Sequence, residues 1–161
     1  MKTETAYFAG GCFWGVEYYM QKQEGVVSCK VGYMGGETKN PSYEEVCTGT
    51  TGHAETVEIK FNPDTISFEE LAKLFFEIHD PTQLNRQGPD IGDQYRSEII
   101  YTNEAQKKTA EKLINKLKIK GYEVVTKISQ AGDFWEADEH HQDYYKKNGE
   151  IPYCHSRTKK F

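Results

Sequence analysis

The chain has 161 residues, of which 37% are hydrophobic and 28% charged, long and apolar enough to build one core and too apolar for a disordered or low-complexity chain. Twenty Lys and Arg against twenty-five Asp and Glu leave a formal net charge of -5, which supplies no overall positive field for phosphates and excludes nucleic acid as an expected partner. No apolar run approaches the roughly 20 residues needed to cross a bilayer, so no membrane partner is expected either.

Thr3 to Ala9 reads as a short strand that stops at Gly10 and Gly11, and Cys12 to Gln21 then carries aromatics and Glu at helical spacing. Gly25 to Tyr33 is a second strand, and Gly32, Gly35, Gly36 and Pro41 open a loop running through Thr48 to Gly52. Thr56 to Phe61 alternates, with Val57, Ile59 and Phe61 on one face and Glu58 and Lys60 on the other. Ser67 and Glu70 form a capping-box signature, and Phe68, Leu71, Leu74, Phe75 and Ile78 follow as an apolar helical stripe. Asp80 to Arg96 is a long irregular segment of the kind that carries function in a compact domain. Ser97 to Tyr101 is a strand, Asn103 opens a Lys-rich helix stopped at Gly121, and Glu123 to Ile128 is a last strand. The tail after Gln130 is polar and aromatic, with one short helical piece around Asp138 to Lys147. The first six elements predict an α+β class: a two-layer split βαβ (ferredoxin-like) plait with an added helix and strand and a long irregular C-terminal tail. Residues 1–161 are expected to form a single domain and a monomer.

Four cysteines, Cys12, Cys29, Cys47 and Cys154, are too few for a disulfide scaffold and contain no C-x-x-C pair. Ala9-Gly10-Gly11-Cys12 looks like a lipoprotein cleavage site, but polar residues occupy the place of the apolar run that such a signal needs. The chain is therefore expected to begin near Met1 and to work in the cytoplasm. Cys12 follows two glycines and opens a helix, where free backbone N–H groups and the helix dipole favour a thiolate. The same position also suits a small buried Cys packed as a hydrophobe, and position alone leaves both readings open. Phe13 and Trp14 could be core, or could hold an apolar methyl or thioether group beside a nucleophile.

Gly11-Cys12-Phe13-Trp14-Gly15 resembles the active-site signature of the A-type peptide methionine sulfoxide reductases. Asn40 to Cys47, Thr51 to Glu55, Leu84 to Gly92 and Gln94 to Ser97 are similar to that family's segments, in its order. The resemblance implies a single catalytic domain that reduces methionine S-sulfoxide, free or in proteins, through a sulfenic acid on Cys12. It further implies that Phe13 and Trp14 receive the substrate methyl, Glu55 protonates the sulfoxide oxygen, Tyr43 and Tyr95 hydrogen-bond it, and Asp90 lines the site. Cys154 in the tail matches the family's resolving cysteine, with thioredoxin or a dithiol as external reductant and no bound cofactor. A tail that delivers Cys154 is expected to be mobile, consistent with its composition. Cys29 and Cys47 read as buried structural thiols, Cys47 being the candidate exception because its loop is near the site.

Two other functions use the same residues. A thiol peroxidase or redox sensor would need Cys12 and Cys154 but not Glu55, Tyr43 and Tyr95. A zinc-binding domain would use His140, His141, Cys154 and His155, although adjacent histidines diverge on a helix and no H-E-x-x-H is present.

Overall fold

The computed structural model describes residues 2–152 and 155–161. In chain order its elements are β1 (Glu4–Gly10), α1 (Phe13–Gln21), β2 (Val26–Met34), α2 (Tyr43–Cys47), β3 (Ala54–Phe61), α3 (Phe68–Ile78), β4 (Arg86–Gln87) and β5 (Asp90–Ile91). There follow β6 (Ser97–Tyr101), α4 (Glu104–Ile119), β7 (Lys127–Gln130), β8 (Trp135–Glu136) and α5 (Tyr144–Asn148). Six strands form one sheet in the order β7-β6-β1-β3-β2-β8, and β4 and β5 form a separate hairpin. Only β6 and β7 run parallel; the other neighbours in the sheet are antiparallel. The units β1-α1-β2 and β3-α3-β6 interleave, so each places one of its strands between the other's two. The chain is thus of the α+β class, a central mixed sheet with helices packed on it.

Strand parity decides what faces the helices. Phe8 on β1 stacks on Phe68 and Phe75 of α3, with ring centroids 5.7 and 5.0 Å apart. On β3, Val57, Ile59 and Phe61 are fully buried while Lys60 is exposed, as the alternation predicts. Glu55 shares the odd-numbered face with those three residues, so the period of two sends its carboxylate into the core rather than to water.

Three local features differ from the sequence reading. The glycine-rich loop contains α2, whose N-terminus is closed by a capping box between Ser42 and Glu45. The segment 80–96 is folded: it holds the β4–β5 hairpin and a 3-10 turn over Asp93–Tyr95. The last strand lies at Lys127–Gln130 rather than 123–128, and beyond it β8 adds to the β2 edge, where a Cβ on Gly32 would stand 2.4 Å from the Trp135 carbonyl. The end of the tail is also tied down. Arg157 donates to Glu77 Oε1 at 3.0 Å, and the Thr158 and Lys160 backbone N–H groups donate to Glu77 O and Oε2 at 2.8 and 3.1 Å. Among the described residues no helix is long and apolar enough to cross a membrane.

Candidate active site

The turn between β1 and α1 is built for close approach. Gly11 has φ +87°, a conformation that disfavours side chains, and a Cβ there would meet the Gln87 side chain at 2.8 Å. Its N–H donates to the Tyr95 carbonyl at 3.2 Å, which seats the 3-10 turn against the residue preceding Cys12. Cys12 is the N-cap of α1, in extended conformation, and its side chain makes no capping bond, so the thiol is not consumed in holding the helix. It is 6% exposed.

A buried carboxylate reaches this helix end from β3. Glu55 is 1% exposed, and its Oε1 accepts the Phe13 backbone N–H at 3.2 Å, so one orphan donor of α1 is satisfied by a carboxylate across the sheet. Its Oε2 accepts from Gln94 Nε2 at 2.8 Å. Tyr33 stands opposite Glu55 in the β2–β3 register, fully buried against Phe13. Two further phenols complete the cluster. Burial first, then the charge of Glu55, push the Tyr43 and Tyr95 hydroxyls well above the ordinary tyrosine range. Both therefore stay protonated at neutral pH and keep a hydroxyl proton to donate. The carboxylate of Asp90, on β5, adds to the effect on Tyr95, which places it on that side of the site.

The aromatic wall comes from α1 and the tail. The buried Phe13 ring lies 6.4 Å from Tyr43 and 5.5 Å from His141. Trp14 stacks on Tyr144 with centroids 3.7 Å apart and an interplanar angle of 4°, and its indole N–H donates to His141 Nδ1 at 3.1 Å. Burial holds the His141 imidazole neutral by pushing its pKa down to about 4.

The loops that carry these groups are cross-tied. His53 Nδ1 accepts the Gly36 N–H at 3.0 Å and its Nε2 donates to the Thr38 carbonyl at 2.6 Å, fixing the start of β3. Arg96 joins three segments: Glu98 at 2.8 Å, the Asp93 carbonyl at 2.9 Å and the Gly52 carbonyl at 3.0 Å.

Cys12, Phe13, Trp14, Tyr43, Glu55, Asp90 and Tyr95 thus converge at one end of the sheet, while Cys154 lies outside the described residues. Its neighbour His155 is buried on the same turn, donating from Nε2 to the Gly10 carbonyl at 2.7 Å. Gly15 makes room for it, since a Cβ there would fall 2.1 Å from His155 Nδ1. The histidines proposed for zinc are employed separately, His141 on Trp14 and His155 on Gly10, and among the described residues no three His, Cys, Asp or Glu side chains converge to hold a metal. Cys29 is half-buried rather than buried, with its thiol pushed far up by burial, which opposes thiolate formation. Cys47 corrects the expectation of burial: it is exposed, and its sulfur accepts from Gln94 Nε2 at 3.6 Å, next to Tyr43. Gln94 itself was not legible as a site residue, because a neutral amide before a Tyr reads as ordinary turn chemistry.

A family model described as peptide methionine sulfoxide reductase matches residues 4–161. The peptide methionine sulfoxide reductase MsrA of Nautilia profundicola is 52% identical over 149 residues, 92% of this chain and 86% of its own. Mxr1 of Saccharomyces cerevisiae in its reduced form superposes with a TM-score of 0.91 at 38% identity, over 97% of this chain and 92% of its own. The same yeast protein in complex with Trx2 superposes with a TM-score of 0.66 at 28% identity, over 97% of this chain and 90% of its own.

Proposed function

Because this chain belongs to the peptide methionine sulfoxide reductase family, an oxidoreductase that returns methionine sulfoxide to methionine, we propose how its residues divide that reaction. The Cys12 sulfur attacks the sulfoxide sulfur. Glu55 supplies the proton that turns the sulfoxide oxygen into a leaving group, and the Tyr43 and Tyr95 hydroxyls donate to that oxygen as its negative charge grows. Phe13 and Trp14 receive the methyl group, and Asp90 lines the approach. The balance is one thiol plus one sulfoxide giving one Cys12 sulfenic acid plus one thioether. The single observation that carries this reading is the bond from the Phe13 N–H to Glu55, which joins the acid to the residue after the nucleophile.

A sulfoxide sulfur carries a methyl, a longer chain and an oxygen. Fixing the methyl on the aromatic wall and the oxygen on the phenols while presenting the sulfur to Cys12 leaves only one place for the chain, so one epimer fits. The resemblance names it as S.

Cys154 then attacks the sulfenic acid, releasing water and forming a disulfide with Cys12, and thioredoxin reduces that disulfide. Support comes from His155, held on the turn that carries Cys12, and from the yeast relative solved in complex with Trx2. The test is a thioredoxin-coupled NADPH assay on the S and R epimers separately, with hydrogen peroxide as a third substrate. Turnover of S alone is expected. Turnover of R at a comparable rate, or of peroxide alone, overturns the assignment of the pocket.

A further inference from the structure

We propose that Gln94 is a positioning residue for the reductase step: its side-chain amide holds the Glu55 carboxyl in the orientation from which it reaches the sulfoxide oxygen, and tunes how readily that carboxyl gives up its proton. The inference rests on Glu55 as the proton donor and deepens that reading.

The geometry is a two-sided clamp. A Glu side chain has three rotatable bonds, and an acid must lie within hydrogen-bond reach of the atom it protonates. One oxygen of Glu55 is fixed by the Phe13 backbone N–H at 3.2 Å, and the other by Gln94 Nε2 at 2.8 Å. These two donors approach from different elements, the α1 N-terminus and the Asp93–Tyr95 turn. Gln94 is 5% exposed, so its bond is sheltered from competing water. The turn is itself anchored, by Gly11 N–H to the Tyr95 carbonyl and by Arg96 to the Asp93 carbonyl at 2.9 Å. The same amide nitrogen also reaches Cys47 Sγ at 3.6 Å, so Gln94 is held from α2 as well.

Donation to a carboxylate favours its charged form. Removing the Gln94 donor therefore leaves Glu55 protonated to higher pH while loosening its aim. The other groups around Glu55 stay as they are: Tyr33 from β2, Tyr43 and Cys47 from α2, Tyr95 from the same turn, and Cys12 at the α1 N-cap. Asp90 beside Tyr95 and Asp138, which acts on Tyr33, are the nearby carboxylates and are likewise unchanged.

The experiment is single-turnover methionine release from methionine S-sulfoxide by prereduced enzyme, followed across pH for wild type, Gln94→Met, Gln94→Asn and Glu55→Gln. Met keeps the length without a donor, and Asn keeps the amide but draws it back by one methylene. A hydrogen bond to a charged group sets the scale, so we expect the plateau rate to fall about tenfold or more in Gln94→Met and the alkaline limb to move up by about one pH unit. Gln94→Asn moves both in the same direction and decides the matter if the Met variant does not fold. A lower plateau with an unmoved limb in both variants means Gln94 only packs, and the proposal is rejected. Wild-type rates in both Gln94 variants alongside a slow Glu55→Gln reject Gln94 alone, whereas a wild-type first turnover in Glu55→Gln rejects the proton-donor reading and this one with it.

Discussion

The Glu55 carboxylate accepts the backbone N–H of Phe13 at 3.2 Å, so the proposed acid is held against the residue that follows the proposed nucleophile, although they lie on different elements and 43 positions separate Glu55 from Cys12 in sequence. The bond exists because odd-numbered residues of β3 face the helices and because the first turn of α1 has donors to spare. Glu55→Gln preserves the shape and removes the proton. Release of the first methionine should slow by about a hundredfold or more, the usual scale of general acid catalysis. Rapid-quench measurement of one turnover decides it, and an unchanged rate would place the proton source elsewhere.

Cys12→Ser should abolish sulfoxide reduction with thioredoxin and with dithiothreitol alike, because a serine hydroxyl is a far weaker nucleophile than a thiolate at neutral pH. The Cys12 side chain makes no capping hydrogen bond, so Ser, a better N-cap, should leave α1 intact or slightly firmer. Activity within tenfold of wild type in a normally folded variant would remove Cys12 from the mechanism.

How much of this was readable beforehand depends on whether a pattern repeats locally. The alternation of β3 and the stripe of α3 announce themselves over eight and eleven residues, and their faces fall where the sequence places them. Ser42 and Glu45 carry the same capping signature as Ser67 and Glu70, yet α2 is only five residues long and offers no apolar period to confirm it. β8 exists because Gly32 leaves room for the Trp135 backbone, a condition set on another strand and invisible in Trp135 and Glu136 themselves. Cys12 and Glu55 could be picked out through a resemblance; that Gln94 joins Glu55 to Cys47 follows only from the fold.

Acid sensitivity should trace to His79. Its Nδ1 donates to the Phe75 carbonyl at 2.5 Å, which leaves Nε2 to accept from Ser97 Oγ at 2.7 Å, a neutral ring, and burial pushes its pKa down to about 3 from the ordinary 6.5. Between those values the unfolded chain binds more protons than the folded one, so the stability is fully present above about 6.5 and is lost as pH falls toward 3. His141, depressed to about 4, has the same sign, whereas Glu17, raised by burial and by Asp143 to about 8, costs stability as pH rises from 4.5 to 8. In His79→Gln the urea midpoint should be lower at pH 7 but should fall less steeply from pH 6.5 to 4, by up to about 1.4 kcal/mol per pH unit in the underlying free energy. Parallel pH dependences in the two proteins would clear His79.

Gly15 tests the seat of the tail. Ala is favoured over Gly inside a helix by about 1 kcal/mol, so Gly15→Ala should not weaken α1 itself. The new methyl would overlap the His155 ring and dislodge it from the Gly10 carbonyl. Since misplacement by about 1 Å can cost up to a hundredfold in rate, thioredoxin-driven turnover should drop about tenfold or more while the first turnover stays near wild type. Equal losses in both would show that Gly15 serves the reductase step instead.

Cys154→Ser separates chemistry from recycling. In the proposed reaction the sulfenic acid forms with groups around Cys12 only, so the variant should still release about one methionine per active site in a burst. It should then stall with thioredoxin, because thioredoxin acts on a disulfide and none can form without the second sulfur. Dithiothreitol is small enough to reach the sulfenic acid itself and should restore turnover at least in part. A disulfide requires the two Cα atoms within about 7 Å; the resemblance names Cys154 as the partner, and its neighbour His155 is held on the Gly10 carbonyl, two residues before Cys12. Mass spectrometry of the oxidised wild type should find the Cys12–Cys154 peptide pair. Wild-type thioredoxin turnover in Cys154→Ser, with loss of turnover in Cys47→Ser, would transfer the resolving role to the exposed thiol on α2.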